Sequence, residues 1–156
     1  MAHRPYVAVI GPSDATSQET RDAEQIGRKL ADAGAILVCG GLGGVMSAAC
    51  HGASAAAGTT VGLLPGTDRA TANEYLQIAL PTGLGELRNG LIIRAADAVI
   101  AVGGAYGTLS EIALALRAGV PVVGLNTWEI EGIEQVRSAD EAVARALQRA
   151  AGRGDS

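Results

Sequence analysis

The sequence contains no phenylalanine, and aromatic residues make up only 3% of its 156 positions. A core without large rings is built from Ala, Val, Leu and Ile, with helices packed closely on small side chains. Cysteine is nearly absent too. Cys39 falls on an apolar strand and Cys50 in an alanine-rich helix, and they form neither a disulfide framework nor a C-x-x-C pattern. Both read as small buried hydrophobes. There is no basic run, the arginines are scattered, and the net charge is −4, which argues against nucleic acid as a partner. No apolar run approaches the ~18 residues of a membrane span, and no charged leader precedes an apolar segment. The expectation is a soluble cytoplasmic protein with no membrane partner.

Chemical motifs are also missing. No His/Cys/Asp cluster has metal-ligand spacing, so no metal site and no resident cofactor are expected. A Walker lysine, a G-x-S-x-G elbow and a Ser/His/Asp set are lacking. His51, in a helix of small residues, reads as a surface histidine. The glycine loops do not fit G-x-G-x-x-G, and no acid at the end of the second strand completes a dinucleotide fingerprint.

Present instead are 48% hydrophobic residues and 22 glycines, the glycines placed at strand and helix ends. The length suits one domain, residues 1–152, with a frayed tail at 153–156. Apolar runs at 6–10, 36–39, 60–64, 75–80, 98–102 and 122–125 read as strands. Helices are expected at 17–33 with Ser17 as N-cap, then at 44–57, 85–96, 108–118 and 140–151. The stretch 67–74 reads as a mobile loop. Short, continuously apolar strands between helices indicate an α/β doubly wound three-layer sandwich with a mostly parallel sheet. Ligands in such folds bind beyond the carboxyl ends of the strands.

Three glycine-containing turns follow strands and share that rim. The first holds Gly11 and Ser13. The second holds Gly40, Gly41, Gly43 and Gly44, with Met46 just inside the next helix. The third holds Gly103, Gly104, Ala105, Tyr106 and Gly107, with Thr108 opening a helix. A strand that feeds a glycine turn and then a helix N-terminus presents backbone N–H groups and a partial positive charge, a cradle for an anion. Asp14 lies on the same rim, where it can bond a ribose hydroxyl or simply form a turn.

Two charges stand out of place. On a helical wheel begun at Leu84, an arc of Leu84, Leu87, Leu91, Ile92 and Ala95 encloses Arg88, a cation that needs a partner there. Glu111 lies in a helix that is apolar nearly all round, which suits a core or a subunit interface. Thr108-Leu-Ser-Glu111 also spells a capping box, in which Glu111 bonds back to the N-cap amide rather than to a ligand. Both roles stay open for it.

Together, Gly40-Gly41-Leu42-Gly43-Gly44-Val45-Met46, Arg88 and Gly104-Ala105-Tyr106-Gly107-Thr108-Leu109-Ser110-Glu111 resemble the LONELY GUY family. That family is sometimes labelled lysine decarboxylase, a label its chemistry does not support. The resemblance spans residues 6–126. It implies a Rossmann-like fold, a homodimer or homotetramer, and hydrolysis of nucleoside 5′-monophosphates at the N-glycosidic bond. Arg88 and Glu111 would be catalytic, and the 104–108 loop would hold phosphate. A carboxylate that stabilises an oxocarbenium-like transition state is compatible with this. Three positions depart from the family pattern: Gly103 replaces proline, Ala105 replaces glycine, and Asn89 replaces the lysine after the arginine. The Arg88-Asn89 pair and the short length look more like the branch that resembles molybdenum-cofactor carriers, which bind a pterin phosphate without chemistry. Hydrolysis of an AMP-like ligand is therefore the leading expectation, a non-catalytic carrier or sensor of a phosphorylated cofactor is the alternative, and a structural oligomer with vestigial loops ranks third.

Overall fold

The computed structural model describes residues 3–153. Seven strands form one sheet in the order β4-β3-β2-β1-β5-β6-β7, every neighbouring pair parallel. The strands are β1 Tyr6–Ile10, β2 Ile36–Cys39, β3 Thr59–Leu64, β4 Ile78–Pro81, β5 Ala98–Val102, β6 Val122–Leu125 and β7 Ile133–Val136. Five helices cover the sheet: α1 Ser17–Asp32, α2 Val45–Ala55, α3 Arg88–Ala95, α4 Tyr106–Ala118 and α5 Ala139–Arg153. The fold is the expected Rossmann-like three-layer sandwich. Among the described residues, no helix is long and apolar enough to cross a membrane.

Strand residues alternate between two cores, as the period of two requires. Val7, Val9, Leu37, Cys39, Ile100 and Val102 pack under α1, α2 and α5. Ala8, Ile10, Val38, Val99 and Ala101 pack against Ile92 and Ile93 of α3 and Ile112 and Ala115 of α4. The shortage of large side chains explains how close α1 and α2 come. A Cβ on Gly27 would lie 1.9 Å from the Ala49 carbonyl oxygen, and one on Gly52 1.9 Å from that of Glu24. Cys39 and Cys50 are buried free thiols whose sulfurs stand 3.6 Å apart. The hydrogen bond with Cys50, and then burial, push the Cys39 thiol upward, while the same hydrogen bond lowers Cys50.

Several boundaries differ from the sequence expectation. Thr16, not Ser17, caps α1: its hydroxyl accepts from the Glu19 amide while the Glu19 carboxylate accepts from the Thr16 amide. Tyr75 and Leu76 precede β4 instead of opening it. They belong to a turn that Asn73 organises by accepting from the Tyr75 amide and donating to the Leu42 carbonyl. The preceding stretch contains a 3₁₀ turn, Arg69–Thr71, capped by Asp68. A second 3₁₀ turn, Gly85–Leu87, precedes α3. Its tighter winding rotates the wheel, so Leu84, Leu87 and Leu91 are 46%, 78% and 43% exposed. The buried face is Arg88, Asn89, Ile92 and Ile93. Strand β7 was not anticipated, because a short edge strand carrying Glu134 and Gln135 has no apolar run. Arg153 closes α5; the rest of the expected tail, 154–156, lies outside the described residues.

Candidate functional site

Strand order reverses at β1, which pairs with β2 on one side and β5 on the other. The connections leaving β1 and β5 therefore diverge to opposite faces and leave a crevice at the carboxyl edge. A cavity of about 700 Å³ occupies it, within the range of small-ligand sites. Gly11, Ser13, Gly40, Met46, Arg88, Gly104, Ala105, Gly107, Thr108 and Glu111 all line it.

The remaining expected site residues stand elsewhere. Gly41, at φ +78°, faces Leu64 and Leu76, and Gly43 has open space around it. Gly44 caps α2 at φ +65°, where a Cβ would fall 2.3 Å from the Pro12 carbonyl oxygen. Gly103, at φ +70°, packs on the Glu19 carboxylate. Tyr106 is 84% exposed and stacks on Trp128 at 6.2 Å between ring centroids.

Two helices bring N-termini without a side-chain cap to this rim, although the Val45 amide of α2 donates to the Pro12 carbonyl. The N-cap of α2 is Gly44 and that of α4 is Ala105, and neither supplies a side-chain cap. Their first-turn amides have no intrahelical acceptors. By contrast, α1 is closed by Thr16 and α5 by the Ser138 hydroxyl, which accepts from the Glu141 amide. Because α4 begins at Tyr106, Thr108 lies inside its first turn and is no N-cap. The capping box expected between Thr108 and Glu111 is not formed. The Thr108 hydroxyl is buried without a hydrogen-bond partner, and the Glu111 carboxyl stays in the cavity wall.

Arg88 is 9% exposed. Its Nη1 donates to the Asn89 side-chain oxygen, and its Nε has no partner. A Cβ on Gly40 would lie 2.7 Å from Arg88 Nη2 and 2.8 Å from Met46 Sδ. Glycine at this position thus makes room for the guanidinium. Among the described residues Arg88 and Glu111 form no ion pair. Burial pushes the Glu111 carboxyl up to about 7, with Arg88 opposing the shift. The site therefore offers the first-turn amides of α4, a buried hydroxyl, one guanidinium with a spare donor, and a carboxyl raised to about 7.

The matching region of the SLOG cluster4 family covers residues 4–151. The chain belongs to that family. A protein of Archaeoglobus fulgidus is 39% identical over 138 residues, 88% of this chain and 91% of that one. The molybdenum cofactor binding protein of Rippkaea orientalis superposes with a TM-score of 0.88 at 33% identity, covering 95% of this chain and 98% of that one. The molybdenum cofactor carrier protein of Chlamydomonas reinhardtii gives 0.87 at 34% identity, covering 96% and 99%. The expected likeness to a short branch of carriers thus holds across the family match.

Sequence reasoning missed part of the wall. Glu19, Leu42, Pro65, Glu86 and Asn89 also line the cavity. Asn89 was noticed only as a missing lysine. Trp128, the sole tryptophan, donates from Nε1 to the Ala105 carbonyl and so ties down the start of α4; its uniqueness was the one available signal.

Proposed function

We propose that this protein binds and carries a small phosphorylated heterocycle of the pterin phosphate class, with the molybdenum cofactor as cargo, and does no chemistry on it. The observation that carries this reading is the open N-terminus of α4 beside two buried donors without partners, Arg88 Nε and Thr108 Oγ1. Buried polar groups are nearly always hydrogen-bonded, so their spare capacity fits the oxygens of a phosphate. The α4 amides and the helix dipole supply further attraction. Asp14 and Glu86, also in the cavity wall, are acceptors suited to ring N–H groups of the ligand. The similar carriers support the choice of cargo. The ligand is a small molecule in the cytoplasm, not nucleic acid.

The reading includes a homodimer or homotetramer. Leu87 of the 3₁₀ turn, Leu91 of α3 and Leu114 of α4 are large apolar side chains left at 78%, 43% and 39% exposure, and such exposed apolar groups mark an interaction site. Light scattering on Leu87→Glu against the parent tests it: a parent that runs as a monomer removes this part.

Calorimetric titration with molybdenum cofactor, AMP and inorganic phosphate tests the binding. Tight binding of the cofactor, with unchanged ligand recovered, is expected; no affinity for any of the three sinks the reading. Glu111 favours a second one. A carboxyl near 7 can serve as a general acid, and a phosphoribohydrolase would release adenine from AMP and lose that activity in Glu111→Gln. Release of free base from AMP at catalytic rates would replace the carrier by this hydrolase.

A further inference from the structure

We propose that Asn89 is the positioning residue of this site: its side-chain oxygen fixes the Arg88 guanidinium over the cavity while leaving the positive charge available to a bound anion. This rests on the phosphate-binding reading above.

A buried guanidinium is ordinarily balanced by a carboxylate, and an Arg–carboxylate pair has little net charge to offer a ligand. Here the bonded partner is a neutral amide. Glu111 shares the cavity and forms no ion pair with Arg88. The other carboxylates in the wall are Asp14, Glu19 and Glu86, and none pairs with Arg88 either. Glu19 is engaged with the Thr16 amide.

Asn89 is 9% exposed, as buried as the arginine it holds. It sits one turn before Ile93 on the buried face of α3. Helix capping does not account for it, since the N-cap position of α3 is Leu87 and no side chain caps that helix. Gly40 lies against the guanidinium, where an added Cβ would come within 2.7 Å of Nη2. Orientation by Asn89 then leaves Nε as the donor without a protein acceptor.

The test separates orientation from charge. Asn89→Asp accepts the same hydrogen bond but adds a negative charge against Arg88. Asn89→Ala removes the acceptor and adds no charge. Affinity for inorganic phosphate and for AMP should fall about tenfold or more in Asn89→Asp, and clearly but less in Asn89→Ala, with the ligand-free Ala variant still melting cooperatively, at most about 12 °C below the parent. Undiminished affinity in Asn89→Ala overturns the proposal, whatever the Asp variant shows.

A second readout needs no ligand. The guanidinium N–H signals of Arg88 should be resolved by NMR in the parent and averaged by rotation in Asn89→Ala. Averaged signals in the parent overturn the orienting role whatever binds. Resolved signals in a parent that binds none of molybdenum cofactor, AMP and phosphate keep that role and overturn the phosphate reading beneath it.

Discussion

Glu111 sets a stability difference that can be worked out in advance. Burial raises its carboxyl from an ordinary 4.5 to about 7, Arg88 only partly opposing. In the unfolded chain the group ionises near its ordinary value. Between these two values the folded state keeps a proton that the unfolded state has released. The stability tied to that proton is fully present below about pH 4.5 and is lost as pH rises through about 7. At about 1.4 kcal/mol per pH unit, the loss amounts to about 3 kcal/mol. Glu111→Gln keeps the shape and a neutral amide in place of the neutral acid. The variant should match the parent near pH 4.5 and exceed it by about 3 kcal/mol at pH 8. On a domain of this size that is a difference in melting temperature of roughly 6–12 °C. Thermal and urea melts of both proteins across this range read it directly. Equal stability at pH 8 would refute the placement of a burdened carboxyl in the cavity wall.

The same group links binding to protons. A phosphate brought beside Glu111 favours its neutral form, so binding above about pH 7 should draw in a proton and weaken as pH rises. Calorimetry in buffers of different ionisation enthalpy measures that uptake. In Glu111→Gln the uptake should disappear.

Four other expectations follow from contacts. Gly27→Ala drives a Cβ into the Ala49 carbonyl oxygen at 1.9 Å, rigid backbone that can yield only by parting α1 from α2; urea unfolding should show a loss of at least about 3 kcal/mol. Gly40→Ala first meets the ends of the flexible Arg88 and Met46 side chains, at 2.7 and 2.8 Å. Its stability should change by less than about 1 kcal/mol, while phosphate affinity drops because the guanidinium is displaced. Thr16→Ala should cost about 1 kcal/mol through loss of the α1 cap. Thr108→Val removes a hydroxyl with no partner, so its stability should hold or rise while phosphate binding weakens.

The sheet was legible because buried parallel strands are written as unbroken apolar runs. An edge strand such as β7 pairs on one side only and can carry Glu134 and Gln135, so no pattern marks it. The wheel that placed Leu84, Leu87 and Leu91 inside was thrown out of phase by one 3₁₀ turn. It nevertheless placed Arg88 correctly, because Arg88 and Ile92 are four residues apart within α3 itself. Asn89 belongs to that buried face with Ile93, and the wheel begun one turn too early put it outside.

The same four-letter signal is used twice in this chain with opposite results. Thr16-Ser17-Gln18-Glu19 forms the reciprocal capping bonds, because Thr16 has the extended backbone of an N-cap, φ −69° and ψ 166°. Thr108-Leu109-Ser110-Glu111 has the same end residues, yet Ala105 takes the extended N-cap conformation, φ −119° and ψ 170°. Helix α4 thus starts before the threonine can cap it. No rule of residue type separates the two cases; the turn that leaves β5 decides where the helix begins. A cap lost at α4 leaves its first-turn amides without a side-chain acceptor, a hydroxyl without a partner and a carboxyl in the cavity wall. Closing that helix with its own threonine and glutamate would satisfy the helix and remove the groups that make the cavity attractive to an anion. The unsatisfied start of α4 is therefore the structural cost that the binding reading explains, and a vestigial loop does not.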